Sequence, residues 1–260
     1  MRFYFGVLTL ILGGVFTSVL SPPIYARPVI EKQKATPCPH RTPTSLFKTH
    51  NQLKKLEFPP APPSPLSPIL VGLHGLGDQA KRFARIRSRF PKDWRFIFIE
   101  APLHYRRGFG WYRFRCDQSN NDADLSVQHL TQTIREIKET YPHAPLGLFG
   151  FSQGGVMSLK AIHFDPSLYQ AVASLSGYWL GSTPHDVSQP YPLLIAHGTQ
   201  DRVVPWSKGQ LSAHLFKKAG YQVQWVSFDQ GHTIPHSLYP QLIDFFQTHL
   251  NKKKRKHISK

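Results

Sequence analysis

The stretch LGLFGFSQGGVMSL, residues 146–159, places a serine between two glycines where the pattern of apolar residues changes. Residues 146–151 are apolar and strand-like, whereas Val156 and Leu159 are spaced as in a helix. A G-x-S-x-G sequence at a strand-to-helix junction is typical of a nucleophile elbow, a tight turn that lifts the serine hydroxyl above the sheet. The glycines suit this turn because it strains the backbone and leaves no space for nearby Cβ atoms. The pattern predicts Ser152 as a nucleophile.

Strands and helices alternate along the sequence from residue 69 onward. Asp78 is predicted to cap the first helix, at residues 79–90. Such alternation predicts an α/β fold with a mostly parallel central sheet and helices on both faces. The connections between the later strands are short, which leaves no room for a large lid domain. The predicted strands are 69–73, 96–99, 146–151, 171–175, 193–196 and 221–228, and the further helices are 124–141, 207–219 and a last one that ends near 250.

Two candidate partners of Ser152 follow predicted strands, where the active sites of parallel sheets form. They are Asp201 in HGTQDRVVP and His232 in DQGHTIP. A serine hydroxyl is a poor nucleophile unless a neutral imidazole takes its proton, and a carboxylate orients that imidazole. The chain order serine, aspartate, histidine is the order found with a nucleophile elbow. Asp229 is an alternative acid, and His197 is predicted to be a structural residue beside the site.

The segment LVGLHGLGD, residues 70–78, predicts an oxyanion hole. In folds with a nucleophile elbow, one backbone N–H comes from the loop after an early strand and another from the residue after the nucleophile. Leu76 and Gln153 are the predicted donors. Gly75 and Gly77 allow the loop backbone to approach a substrate closely.

The motifs LHGLGD, GFSQGG, HGTQDRVVP and the later GH together resemble the acyl-protein thioesterase and phospholipase/carboxylesterase family of α/β-hydrolases. The resemblance covers about residues 66–250 and implies the α/β-hydrolase fold. Residues 100–112, EAPLHYRRGFGWY, resemble the family segment that lines the acyl pocket, which implies Trp111 and Tyr112 as pocket residues. The family usually has an acidic residue soon after that aromatic pair, whereas Arg113, Phe114 and Arg115 follow it here.

These features predict a serine hydrolase that cleaves carboxylic esters or thioesters of short-to-medium acyl groups. Ser152 would attack the carbonyl of a small-molecule substrate, His232 would act as the base, and Asp201 would orient the histidine. This chemistry needs no metal and no organic cofactor. A serine peptidase or amidase of the same fold and a non-catalytic surface-binding protein are the alternative functions.

The segment from Ala101 to Asp117 combines aromatic residues with four arginines, Arg106, Arg107, Arg113 and Arg115. If the segment borders Ser152, the aromatic side chains form an apolar wall, and the arginines are expected to hold a carboxylate or phosphate near the mouth. The alternative is a surface loop with solvated arginines.

The N-terminus predicts export to the periplasm or the medium. Arg2 precedes an uncharged apolar run at residues 3–20, and Ala26 offers a cleavage point of a secretory signal. An uncleaved membrane anchor at 3–20 is the alternative. The predicted organisation is a signal peptide or anchor (1–26), a proline-rich linker or N-terminal wrap (27–68), the α/β-hydrolase domain (69–250) and a basic tail (251–260).

The formal net charge of +17 is concentrated partly in the tail NKKKRKHISK. Such a terminal block is usually solvated. We predict at most a weak contact between this tail and an anionic surface. The sequence carries no nucleic-acid-binding motif. The sequence leaves the oligomeric state open, as well as whether Cys38 and Cys116 pair in an oxidising compartment.

Overall fold

The computed structural model describes residues 53–114, 116–117 and 119–251. The predicted signal peptide, Cys38 and all but the first residue of the basic tail lie outside this part of the chain. Nine strands form within the described residues: β1 (Lys55–Phe58), β2 (Ile69–Leu73), β3 (Arg95–Ile99), β4 (Leu103–Tyr105), β5 (Gly108–Gly110), β6 (Leu146–Phe151), β7 (Ala171–Leu175), β8 (Pro192–Gly198) and β9 (Gln222–Phe228).

Seven of these strands form one sheet in the order β1-β3-β2-β6-β7-β8-β9. Every neighbouring pair from β3 to β9 is parallel, and β1 pairs with β3 antiparallel at the edge. Strands β2, β6, β7 and β8 are buried in the middle of the sheet, consistent with their continuous apolar sequences. Strands β4 and β5 form a separate antiparallel hairpin.

Helices cover both faces of the sheet. One hydrophobic core packs Val127, Ile134 and Phe216 against strand residues such as Val71, and the other packs Phe246 on the opposite face. The predicted α/β-hydrolase architecture is therefore confirmed. The helices are α1 (Ala80–Phe83), α2 (Ser119–Thr140), α3 (Gln153–Phe164), α4 (Trp206–Lys218) and α5 (Tyr239–Leu250), and 3₁₀ turns lie at Ala84–Arg89, Pro166–Leu168 and His236–Leu238.

The first predicted helix differs from the structure. Only one α-helical turn forms at α1, and a 3₁₀ segment continues it to Arg89. Its N-cap is Gln79 rather than Asp78, and no side chain caps the helix. Asp78 instead lies in an isolated β-bridge with Phe109, which fixes its backbone outside the helix, and its carboxylate is 3.3 Å from the Arg82 guanidinium.

Strand β1 and the β4–β5 hairpin were not predicted from the sequence. Strand β1 lies within the proline-rich region that the sequence analysis treats as a linker or N-terminal wrap. Among the described residues, no helix is long and apolar enough to cross a membrane.

Candidate active site

Ser152 lies at the sharp turn between β6 and α3. Its backbone has φ 55° and ψ −116°, a strained conformation for a residue with a side chain. The Ser152 N–H donates to the Leu175 carbonyl at 2.9 Å, and its own carbonyl accepts the Val156 N–H at 3.0 Å. Two neighbouring elements, β7 and α3, therefore hold the strained residue in place.

The two glycines of the turn are required by close backbone contacts. A Cβ on Gly150 would lie 2.1 Å from the Gly154 carbonyl oxygen. A Cβ on Gly154 would lie 2.1 Å from the Leu73 carbonyl oxygen on strand β2. Neither position has space for a side chain, because backbone atoms cannot give way as a flexible side chain can. The steric reason predicted for the G-x-S-x-G sequence is present in the structure.

A chain of hydrogen bonds joins the three residues predicted from the ends of β6, β8 and β9. His232 Nε2 lies 2.9 Å from Ser152 Oγ, and His232 Nδ1 lies 2.6 Å from Asp201 Oδ2. The Asp201 carboxylate is fully buried, whereas the His232 side chain is 16% exposed. The imidazole thus contacts the serine through one nitrogen and the buried carboxylate through the other.

The Asp201 carboxylate is fixed by its own loop. Its Oδ1 accepts the N–H groups of Val203 and Val204 at 2.8 and 2.9 Å. The alternative acid, Asp229, accepts hydrogen bonds from Thr199 and Gln200 instead. The structure therefore brings Asp201, and not Asp229, to His232.

His197 is fully buried beside this group, as the sequence predicts. Its Nε2 is 2.9 Å from the Val204 carbonyl and 3.4 Å from Asp201 Oδ2. Burial lowers the pKa of His197, so the ring stays neutral and donates from Nε2. The neutral ring packs against the loop that carries Asp201 without adding a charge near the carboxylate.

The predicted oxyanion donors, Leu76 and Gln153, line the same cavity as Ser152 and His232. Within the described residues, neither of their backbone N–H groups has a hydrogen-bond acceptor in the protein. The Gln153 N–H is also the first of helix α3, where the helix dipole favours negative charge. The arrangement leaves two donors available for an oxygen that gains charge beside Ser152.

The buried His74 holds the loop that carries Leu76. Its Nδ1 is 2.8 Å from the Gly75 carbonyl, and its Nε2 accepts the Ala101 N–H at 3.1 Å. Because Nε2 accepts, the proton lies on Nδ1, and burial lowers the pKa of the ring so that it remains neutral.

The β4–β5 hairpin braces the same loop from the other side. Gly77 donates its N–H to the Phe109 carbonyl at 2.7 Å, and Phe109 donates to the Asp78 carbonyl at 2.9 Å. A Cβ on Gly108 would lie 2.3 Å from the Gly77 carbonyl oxygen. This brace was not predicted, because the glycine spacing in RRGFGW is the one trace of it in the sequence.

The two predicted pocket residues occupy different places. Tyr112 lines the cavity, and burial raises the pKa of its hydroxyl, with a hydrogen bond to Tyr178 adding to the effect. Trp111 is fully buried behind the oxyanion loop, where its indole N–H donates to the His74 carbonyl at 2.8 Å. The expectation that Trp111 lines the pocket is therefore corrected, because its ring supports the loop from behind. The Gln153 side chain fixes both residues through their backbones.

The cavity above Ser152 has a volume of about 270 Å³. Its wall is mainly apolar and aromatic, and the polar groups converge at Ser152 and His232. This combination of an apolar cleft with a few converging polar groups is typical of a small-molecule site. The other lining residues include Tyr112, Phe114, Phe151, Tyr178, Val203 and Val204.

Residues 60–253 match the sequence profile of the Phospholipase/Carboxylesterase family. The chain belongs to this family. Acyl-protein thioesterase 1 of Gibberella zeae is 28% identical over 232 residues, which cover 77% of this chain and 96% of that protein. Carboxylesterase SOBER1 of Arabidopsis thaliana is 32% identical over 192 residues, which cover 64% of this chain and 83% of that protein.

The fold is similar to that of a solved esterase. The crystal structure of esterase PE8 matches with a TM-score of 0.67 at 22% identity, over 76% of this chain and all of that one. The resemblance read from the sequence motifs is thus confirmed. As a phospholipase/carboxylesterase family member, the protein is a serine hydrolase of the carboxylesterase and thioesterase class.

The described arginines of residues 101–117, which are Arg106, Arg107 and Arg113, do not line the cavity. Arg113 forms two hydrogen bonds with the fully buried Asp122 carboxylate, at 2.7 and 2.9 Å. Releasing Arg113 would leave a buried charge unpaired, at a cost of about 3–5 kcal/mol. The Arg106 guanidinium packs over the Tyr105 ring, and Arg115 lies outside the described residues. The expected anion site on this segment is therefore not supported by the described arginines, since none of them lines the cavity.

No group of three or more histidine, cysteine, aspartate or glutamate side chains suited to hold a metal occurs in the described part of the chain. Cys116 is disulfide-bonded, and Cys38, the other cysteine of the sequence, lies outside that part.

Proposed function

We propose that the protein hydrolyses carboxylic esters or thioesters of short-to-medium acyl groups through an acyl-enzyme on Ser152. The observation that carries the proposal is the hydrogen-bonded chain from Asp201 through His232 to Ser152 at the polar end of an apolar cavity. A serine oxygen is activated when a neutral imidazole accepts its proton, and a buried carboxylate fixes the tautomer that can do so.

The proposed reaction has two halves. In the first, His232 Nε2 takes the Ser152 proton as Oγ bonds to the substrate carbonyl carbon, and the N–H groups of Leu76 and Gln153 hold the oxyanion. The C–O or C–S bond then breaks as His232 gives that proton to the leaving atom. In the second half, water gives a proton to His232 and attacks the acyl-enzyme, and the proton returns to Ser152 as the acid leaves.

The cavity supports a limited acyl length. Its volume of about 270 Å³ lies just below the usual range for sites of drug-sized ligands, roughly 300–1,000 Å³. Its aromatic and aliphatic walls stabilise an acyl chain by about 0.8 kcal/mol for each methylene removed from water. Affinity should therefore rise with chain length until the cavity is full.

A chain-length series tests this function. Nitrophenyl esters and matched thioesters from acetyl to palmitoyl are compared by kcat/KM, with Ser152→Ala as the control. We expect a maximum between butyryl and octanoyl, and loss of turnover by about 10⁴-fold or more in Ser152→Ala. Near-normal hydrolysis by purified Ser152→Ala would overturn the assignment of the nucleophile.

We further propose that the chain is exported with cleavage after Ala26. The support is the uncharged run at residues 3–20 and the disulfide at Cys116, since disulfides persist in oxidising compartments. Mass spectrometry of protein from the native host should then show an N-terminus at Arg27. Intact Met1 in the membrane fraction would favour the anchor instead.

A further inference from the structure

A second cavity of about 550 Å³ adjoins the one above Ser152. The two cavities share the side chains of Asp78, Phe151 and His232. The second cavity is an open cleft whose remaining wall comes from α1 with its 3₁₀ extension and from the segment around Ile234 and Tyr239. His232 thus forms part of the wall of both cavities.

Three arginines line this cleft: Arg82, Arg85 and Arg89. They lie three and four residues apart, so that the helical turn and its 3₁₀ extension place them on one side. The one carboxylate among the lining residues belongs to Asp78, which is 3.3 Å from Arg82. Within the described residues, Arg85 and Arg89 take part in no ion pair, in contrast to Arg113 with its buried partner. The cleft therefore carries excess positive charge close to the reacting atoms.

The chemistry assigns different halves of the substrate to the two cavities. The first contains Ser152, both oxyanion donors and the apolar wall, which suit the carbonyl and the acyl chain. The leaving oxygen or sulfur must come within reach of His232 Nε2, which protonates it. Since His232 also lines the arginine-lined cleft, a leaving group at His232 Nε2 lies next to that cleft.

We propose that this cleft binds the leaving-group half of the substrate and selects alcohols or thiols that carry an anionic group, a carboxylate or a phosphate. Guanidinium groups recognise both anions through paired, charge-assisted hydrogen bonds. The inference rests on the proposed ester or thioester hydrolysis and adds the class of leaving group to it.

Butyryl thioesters with different thiols test the selection, because the acyl half stays constant and the released thiol is measured directly. The thiols are 3-mercaptopropionate (carboxylate), 2-mercaptoethyl phosphate, N-acetylcysteamine (neutral) and thiocholine (cation). For the wild-type protein we expect kcat/KM to be about tenfold higher for the anionic thioesters than for the neutral one, and lowest for thiocholine. The two anionic probes show whether the cleft favours carboxylate or phosphate.

The double variant Arg85→Gln, Arg89→Gln tests the residues, and Lys81→Gln, which removes one positive charge instead of two, is the control. Lys81 is exposed on the same helix and does not line the cleft, so its variant also changes the overall charge. We expect the anionic-to-neutral ratio of kcat/KM to fall about five- to tenfold in the double variant, because exposed charge pairs contribute modestly to binding. The ratio should stay unchanged in the control.

The outcomes separate this inference from the proposed function. Hydrolysis of the neutral thioester with no preference for the anionic ones would overturn the inference and leave the proposed function standing. An equal fall of the ratio per charge removed in Lys81→Gln would also overturn it, since the effect would then come from net charge. No turnover of any thioester or nitrophenyl ester would overturn both.

Discussion

Ser152 combines a strained backbone with full support from its surroundings. A residue held at such angles costs of order 1–3 kcal/mol, which the neighbouring structure must offset. The hydrogen bonds to Leu175 and from Val156, together with the close backbone contacts at Gly150 and Gly154, supply that support. The turn therefore fixes the backbone that carries the Ser152 hydroxyl within hydrogen-bond distance of His232.

The choice of acid gives the first prediction. Asp201→Asn should lower kcat by about 10⁴-fold, because an amide at this place no longer stabilises the imidazolium and favours the wrong tautomer. Asp229→Asn is the matched control, and it should stay within about twofold of wild type because its carboxylate accepts hydrogen bonds from Thr199 and Gln200 and not from His232 in the described part of the chain. Steady-state kinetics on a butyryl ester measures both. A damaged Asp229 variant beside a healthy Asp201 variant would reassign the acid.

The place of Trp111 gives the second prediction. Trp111→Phe keeps an aromatic ring but removes the hydrogen bond to the His74 carbonyl, so the oxyanion loop loses a support. We expect kcat to fall by about fivefold, and equally for acetyl and octanoyl esters, since a lost hydrogen bond is worth about 1 kcal/mol and the loop serves every substrate. Phe114→Ala, at the exposed rim of the cavity, should raise KM for octanoyl more than for acetyl. A chain-length dependence in Trp111→Phe would return Trp111 to the pocket wall.

At the scale of elements, the sequence predicted the parts with strong local patterns. Strands β2, β6, β7 and β8 are continuous apolar runs, and the triad residues follow strand ends, so both were accessible from sequence. Strand β1 alternates exposed and half-buried residues in a proline-rich region, and it exists because β3 offers an unpaired edge. Such pairings between distant segments leave no signal in a single sequence.

The hairpin gives the third prediction. Gly108→Ala places a Cβ against the Gly77 carbonyl, so the hairpin or the oxyanion loop must move. We expect kcat to fall at least tenfold with a smaller change in KM, because the Leu76 N–H serves the transition state more than the bound substrate.

Arg107→Ala is the control for Gly108, since this exposed side chain lies in the same hairpin and only its backbone carbonyl bonds to Gln79. Thermal unfolding of both variants separates a shifted loop from a damaged fold. If Gly108→Ala kept full activity at normal stability, the hairpin would not brace the loop.

At the scale of the whole molecule, His232 stands between two cavities of opposite character. The apolar cavity above Ser152 suits an acyl chain, and the arginine-lined cleft suits a charged leaving group. In the proposed mechanism these two halves are no longer bonded after the first half-reaction, so we expect the leaving group to depart through the open cleft while the acyl group stays on Ser152.

The buried histidines make the stability of the whole molecule depend on pH. Burial lowers the pKa of His74 and His197, and it lowers that of His163 to about 4 with smaller contributions from His185 and Lys160. Below the ordinary pKa of 6.5, the unfolded chain binds protons that the folded protein does not. The free energy of unfolding should therefore be largest above about pH 6.5 and fall as the pH drops toward 4, through the window set by His163.

The variant His163→Asn isolates one of these groups. Asparagine removes the titrating ring but keeps an acceptor on the side chain for the His185 backbone N–H, which His163 Nδ1 accepts at 3.3 Å. Urea unfolding between about pH 7 and pH 4.5 should then show a smaller loss of stability in His163→Asn than in wild type. His214→Asn is the control, because His214 is exposed on α4 and its replacement should leave the loss unchanged. Parallel stability curves for wild type and His163→Asn would show that His163 is protonated in the folded protein, and the burial of its ring would then not keep it neutral.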